Sequence, residues 1–308
     1  MEDILAVLPE KIKEIVLTFP SDTRDKIEEI RVRVHRPLEI IIDGKPHFPK
    51  NGQQQYFITA NDAIHLLNQL SAYSLYALEE ELKRGYITIR GGHRVGLAGK
   101  VITEKGQVKA IRDISSFNIR VARQKLGVAE PYVNYLYNSN GWNNTLIVGP
   151  PQSGKTTFLR DLARVISEGY GAIPSLKIGI VDERSEIAGS IKGVPQHDLG
   201  NRVDVLDACP KAEGMMMLIR AMSPQILIVD EIGRKEDSEA IMEAIHSGVK
   251  IMTTVHGNTL EDVLDRPTLK ELMKMHVFTR YIELSRGSQP GKVSRIRDEN
   301  GKNVVRLH

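Results

Sequence analysis

Residues 149–157 gather side chains and backbone groups that can grip phosphate. Gly149, Pro150, Pro151, Gln152, Ser153, Gly154, Lys155 and Thr156 satisfy the pattern G-x-x-x-x-G-K-[ST], with Thr157 directly after it. The two glycines allow a tight turn whose N–H groups point inward as an anion nest. Lys155 can reach β- and γ-phosphates, and the Thr156 hydroxyl is a hard oxygen ligand for Mg²⁺. An apolar β-type run, Thr145 to Val148, leads into the loop, and a helix-compatible stretch, Thr156 to Ser167, leads out. That helix would add the positive end of its dipole. This setting predicts a nucleotide site, but it does not say what the nucleotide's energy is used for.

Three more strand-like runs end in polar residues. Ile226-Leu227-Ile228-Val229 is followed by Asp230 and Glu231, a pair suited to a metal's water shell and to an attacking water. Ile180-Val181 leads to Asp182 and Glu183, with Arg184 and Glu186 close behind. Here a local salt bridge is an alternative to a catalytic role. Thr253-Thr254-Val255 ends at His256, which could report the presence of a γ-phosphate or simply cap its strand.

The elements that must carry these residues follow from periodicity. After about residue 130, apolar strand candidates at 145–148, 177–181, 226–229 and 250–255 alternate with helices at 156–167, 211–222 and 236–247. That alternation predicts an α/β domain with a mostly parallel sheet covered on both faces, its ligand at the carboxyl ends of the strands. Strands at 278–284 and 293–307, turning at Asn300-Gly301, are expected to add an antiparallel edge. Before residue 128 the pattern is α+β. Helical spacing runs from 4 to 31 with breaks at Pro9 and Pro20, and a hairpin spans 32–48 around Asp43-Gly44. A helix follows at 59–82, including Leu75, and glycine-punctuated strands cover 86–123. The expected domains are therefore 1–128 and 129–308, with Gly127 and Pro131 bracketing a connector.

Charge is distributed unevenly. Lys83 to Lys125 holds eleven Lys/Arg against two Asp/Glu, so the rest of the chain nets −6 within an overall charge of +3. A basic block of this size suits phosphates of a nucleotide, a nucleic acid or a lipid surface, or is a solvated sheet face. Its aromatics are sparse, which makes no strong case for nucleic acid. Cys209 is the sole cysteine, excluding an intrachain disulfide and a cysteine zinc site. No apolar run approaches the roughly 18 residues of a membrane span, and the first thirty residues do not read as a secretory signal. A cytoplasmic protein is expected.

The order of phosphate loop, acidic box, Asp230-Glu231 strand and His256 box resembles the secretion-type ATPases of pilus and type II/IV secretion machines. The stretch Arg220 to Gly233 is similar to that family's central signature, and the runs Arg90–Gly99 and Ser116–Arg123 resemble its sporulation branch. The resemblance implies a RecA-like P-loop ATPase domain after a smaller N-terminal α+β domain. It implies ATP and Mg²⁺ on Gly149–Thr157, with Thr156 and Asp230 on the metal side. It further implies Glu231 as the water-side acid, Glu183 in the acidic box and His256 in the histidine box. Arginines of the N-terminal domain complete such sites on the γ-phosphate, from the same or a neighbouring subunit. Arg112, Arg120 and Arg123 are the candidates, Arg120 and Arg123 foremost. Family habit implies a homo-oligomer, a hexamer, peripheral at a membrane complex and acting on a membrane-embedded channel between mother cell and forespore. Two departures stand out: Asp230 occupies a position where many members carry glycine, and the tetracysteine zinc module is missing. A nucleic-acid-binding P-loop motor and a nucleotide-dependent scaffold with little hydrolysis stay open as alternatives.

Overall fold

A computed structural model describes residues 1–71, 79–286 and 291–306. The chain divides into two units, Met1–Arg123 and Gln124–His308. Residues 124–128 thus go with the second unit, five residues before the expected boundary. The cause is local: Gly127 and Ala129 donate their backbone N–H groups to the buried carboxylate of Asp161, at 3.0 and 2.8 Å, and so tie this segment to the helix after the phosphate loop.

In the first unit, helices Glu2–Val7 and Glu10–Leu17 set Ile4, Ile12, Ile15 and Val16 against an antiparallel sheet carrying Ile30, Val32, Ile40, Val95, Phe117 and Ile119. The helical stretch is broken at Pro9 and Pro20 as expected, each proline serving as the N-cap of the helix that follows. Sheet order runs Lys45–His47, Glu39–Ile42, Ile27–Arg33, Gln107–Arg120, His93–Glu104, Tyr86–Ile89. The helical spacing expected up to residue 31 gives way to strand at Ile27. Ile27 and Ile30, three apart, imitate helical spacing, but a bulge between Ile27 and Glu29 puts both on the buried face. The expected hairpin turn forms at Asp43-Gly44, with φ of 49° and 72°. Helix Ala60–Leu70 starts on a capping box between Thr59 and Asp62, and residues 72–78, Leu75 among them, lie outside the described residues. The basic block is carried largely by the hairpin of His93–Glu104 and Gln107–Arg120, on which Lys100, Lys105, Lys109, Arg112 and Arg120 are exposed.

The second unit is built on an eight-stranded sheet in the order Val203–Asp207, Ile178–Asp182, Ile226–Val229, Lys250–His256, Thr145–Gly149, Arg280–Leu284, Val293–Asp298, Asn303–Arg306. The first six strands are parallel and the last two antiparallel. Alternate residues of the central strands feed two cores. Ile147, Ile180, Ile228 and Met252 meet Phe158, Leu159 and Leu162 of helix Lys155–Glu168. Leu146, Val148, Val181 and Leu227 meet Met215 and Leu218 of Lys211–Met222, and Ile241 and Ala244 of Lys235–His246. Covering on both faces is what continuous apolar strands require.

One expectation needs correction. Arg280–Leu284 runs parallel beside Thr145–Gly149 rather than in an antiparallel edge, and its Tyr281 to Leu284 are buried. The edge is formed by the two later strands, described only to residue 306. Val203–Asp207 is a sixth parallel strand that periodicity did not reveal. It is half-exposed along its length, and aspartates at its second and fifth positions leave only Val203 and the pair Val205-Leu206 apolar, so no apolar run marks it. Among the described residues, no helix is long and apolar enough to cross a membrane.

Candidate functional site

Parallel register brings the predicted groups to one end of the sheet. Gly149 pairs with His256, and Val229 pairs with Thr253, so the ends of three strands meet at the phosphate loop. Within the loop Gly154 takes φ of 90°, which glycine reaches without strain, and opens helix Lys155–Glu168. Gly149 is needed for a different reason. A Cβ there would lie 2.4 Å from Ser153 Oγ and 3.2 Å from Lys155 Cγ, so the loop closes over bare backbone. Ser153 is buried inside the loop beneath it.

A cavity of about 390 Å³ opens on the loop, lined by Pro151, Gln152, Gly154, Lys155, Thr156 and Thr157 together with Arg184, Glu186, Asp230, Glu231 and His256. Lys155 Nζ donates to the carbonyls of Gly149 at 2.7 Å and Pro150 at 3.0 Å, and lies 3.0 Å from His256 Nδ1. An ammonium can only donate, so Nδ1 is the acceptor and the imidazole proton sits on Nε2. Nε2 is 3.0 Å from Glu231 Oε1, and Arg184 donates to Glu231 Oε2 at 2.9 Å. Lys155, His256, Glu231 and Arg184 therefore form one chain of hydrogen bonds. Burial lowers the Lys155 ammonium's affinity for its proton, while Asp230 and Glu231 oppose that shift.

Asp230 stands beside the Thr156 hydroxyl. Thr156 Oγ1 donates to its Oδ2 at 2.7 Å, and the fully buried Thr254 hydroxyl donates to its Oδ1. The same Thr254 oxygen accepts the Glu231 N–H at 2.8 Å, steadying Glu231 at a left-handed φ of 53°. A hydroxyl and a carboxylate at hydrogen-bond distance form the hard-oxygen pair that Mg²⁺ takes together with phosphate oxygens, so these residues fit that ion.

The acidic turn behaves differently from its sequence reading. Asp182 gives its buried carboxylate to its own turn, accepting N–H bonds from Glu186, Ile187 and Ala188 at 2.8, 3.0 and 2.8 Å. Burial still pushes its carboxyl up to about 6, and Asp207 adds to the shift. Glu183 pairs with Lys211 at one side, whereas Glu186 and Arg184 of the same turn line the cavity. Buried Arg160 holds the turn from beneath, donating to the carbonyls of Ile187 and Glu186 at 2.6 and 2.7 Å. Sequence reasoning missed Arg184 as a partner of Glu231, and missed Lys211 and Arg160 as supports. A charge at a turn has no period, so only the contact reveals its partner. Arg120 and Arg123 lie in the first unit; both are exposed, and Arg123 donates to the Ile27 carbonyl at 2.8 Å.

The parallel sheet with its phosphate loop, after a β-rich N-terminal unit, defines a secretion-ATPase-like fold. The pilus retraction motor PilT, solved with bound ADP, matches it with a TM-score of 0.57 at 18% identity, over 89% of this chain and 76% of that one. The Legionella pneumophila ATPase DotB matches with a TM-score of 0.56 at 14% identity, over 83% and 72%. The chain belongs to the family described as sporulation stage III, protein AA, which it matches over residues 1–304. It is similar to stage III sporulation protein AA of Bacillus subtilis (strain 168), with 56% identity over 306 residues, covering 99% of this chain and 98% of that protein.

Proposed function

We propose that the chain is a Mg²⁺-dependent ATPase that works as an oligomeric motor at a membrane channel during sporulation. The observation that carries the reading is the convergence of Lys155, Thr156, Asp230, Glu231 and His256 on one cavity. Lys155 and the amides of the loop would hold the β- and γ-phosphates. Thr156 and Asp230 would hold Mg²⁺, which supplies charge neutralisation between the phosphates. Glu231 would orient the attacking water and take its proton as the water oxygen bonds to the γ-phosphorus and the bond from that phosphorus to the bridging oxygen breaks, the oxygen leaving with ADP. Glu183, paired with Lys211, would brace the acidic turn. Arg120 and Arg123 are proposed to supply charge at the γ-phosphate from the N-terminal unit, in cis or from a neighbouring subunit.

Steady-state phosphate release tests this. Lys155→Ala and Glu231→Gln should each lower turnover at least about a hundredfold, with Glu231→Gln still binding ATP. Background rates in wild type and both variants alike would leave a nucleotide-dependent scaffold. Wild-type rates in Arg120→Ala and Arg123→Ala would remove these arginines from the nucleotide site.

A further inference from the structure

Arg184 is a cation on the wall of the nucleotide cavity. It follows Glu183 in the turn after strand Ile178–Asp182, is more than half exposed, and reaches across to Glu231 Oε2 at 2.9 Å. His256 Nε2 holds the other oxygen of that carboxylate at 3.0 Å. With both oxygens already engaged, Glu231 offers a water no oxygen that is not accepting a bond from a neighbouring side chain. Arg184 also faces the loop residues Gly154 to Thr157 across the same cavity, with Glu186 and Asp230 among its acidic neighbours. A terminal phosphate seated on that loop would compete with Glu231 for one guanidinium. Phosphate has the denser charge and the geometry that a planar fork recognises.

We propose that Arg184 is a phosphate-responsive gate on Glu231: a nucleoside triphosphate draws its guanidinium away, and the released carboxylate oxygen is free to engage a water. This rests on the nucleotide-site reading above and adds a residue supplied by the acidic turn itself. The gate makes a specific demand on binding. A triphosphate should gain from Arg184 while a diphosphate, lacking the terminal group, should not. Removing the charge of Glu231 should free Arg184 for the phosphate, so the two side chains should be energetically coupled.

The test is a double-variant cycle on the full chain, titrated with a β,γ-imido adenosine triphosphate and separately with ADP, each with Mg²⁺. Arg184→Ala is expected to weaken the triphosphate analogue about tenfold and ADP less than about twofold. Glu231→Gln is expected to tighten the analogue several-fold, and that gain should vanish in the Arg184→Ala, Glu231→Gln double variant. Arg184→Lys should recover only part of the discrimination, since an ammonium lacks the fork. Equal effects on both ligands, or a Glu231→Gln gain that persists without Arg184, would overturn the gate. Lys155→Ala separates the two ideas. If it abolishes binding while Arg184→Ala leaves the triphosphate-to-diphosphate ratio unchanged, the gate alone falls. If Lys155→Ala binds both ligands like wild type, the nucleotide site falls and the gate with it.

Discussion

Thr254 couples the two acids that follow strand Ile226–Val229, because one buried hydroxyl oxygen serves both the Asp230 side chain and the Glu231 backbone. Its value could not be read from the run Thr253-Thr254, where either threonine could face the site. The pleat decides, since successive residues point to opposite faces of the sheet. Asp182 makes the complementary point about burial. Its folded-state carboxyl lies at about 6 against an ordinary 3.8, so between those values the folded protein binds more protons than the unfolded chain. Stability from this group therefore rises as pH falls through that window and is lowest above it. Relative to Asp182→Asn, the wild type should gain up to about 3 kcal/mol between pH 7 and pH 4. Urea unfolding of both proteins across that range reads the difference, and parallel profiles would mean that the three backbone donors outweigh burial.

At the scale of elements, the close approach of helix Lys211–Met222 to strand Ile178–Asp182 depends on Gly214. A methyl group there would lie 2.5 Å from Val181 Cγ1 and 3.1 Å from Cys209 Sγ. Alanine would improve helix propensity by about 1 kcal/mol, but overpacking a buried β-branched neighbour costs about 1–3 kcal/mol, so crowding wins. Gly214→Ala should lower stability by up to about 2 kcal/mol in denaturant unfolding. Adding Val181→Ala should make the pair less damaging than the sum of the two changes. The strands and helices around the phosphate loop were legible because each has a strong apolar run or a 3.6-residue period. Val203–Asp207 was not, since an edge strand needs no continuous apolar face, and Ile27–Arg33 was hidden by a bulge that imitates helical spacing.

For the whole molecule, the proposed motor requires more than one copy. Sizing the purified full chain with and without ATP and Mg²⁺ should show a nucleotide-dependent shift to a ring-sized assembly, stronger in Glu231→Gln. A persistent monomer in both conditions would remove the homo-oligomeric motor.

The sequence alone determined the phosphate loop, the Asp230-Glu231 pair and the alternation of buried strands with helices, because each is a local pattern of residue types at fixed spacing. Tertiary structure alone decided that Arg184 and His256 grip the two oxygens of Glu231, that Glu183 turns to Lys211, and that Arg280–Leu284 joins the parallel core. Those are pairings between residues from about 25 to more than 130 positions apart, set by sheet register and burial. No local pattern of residue types encodes them.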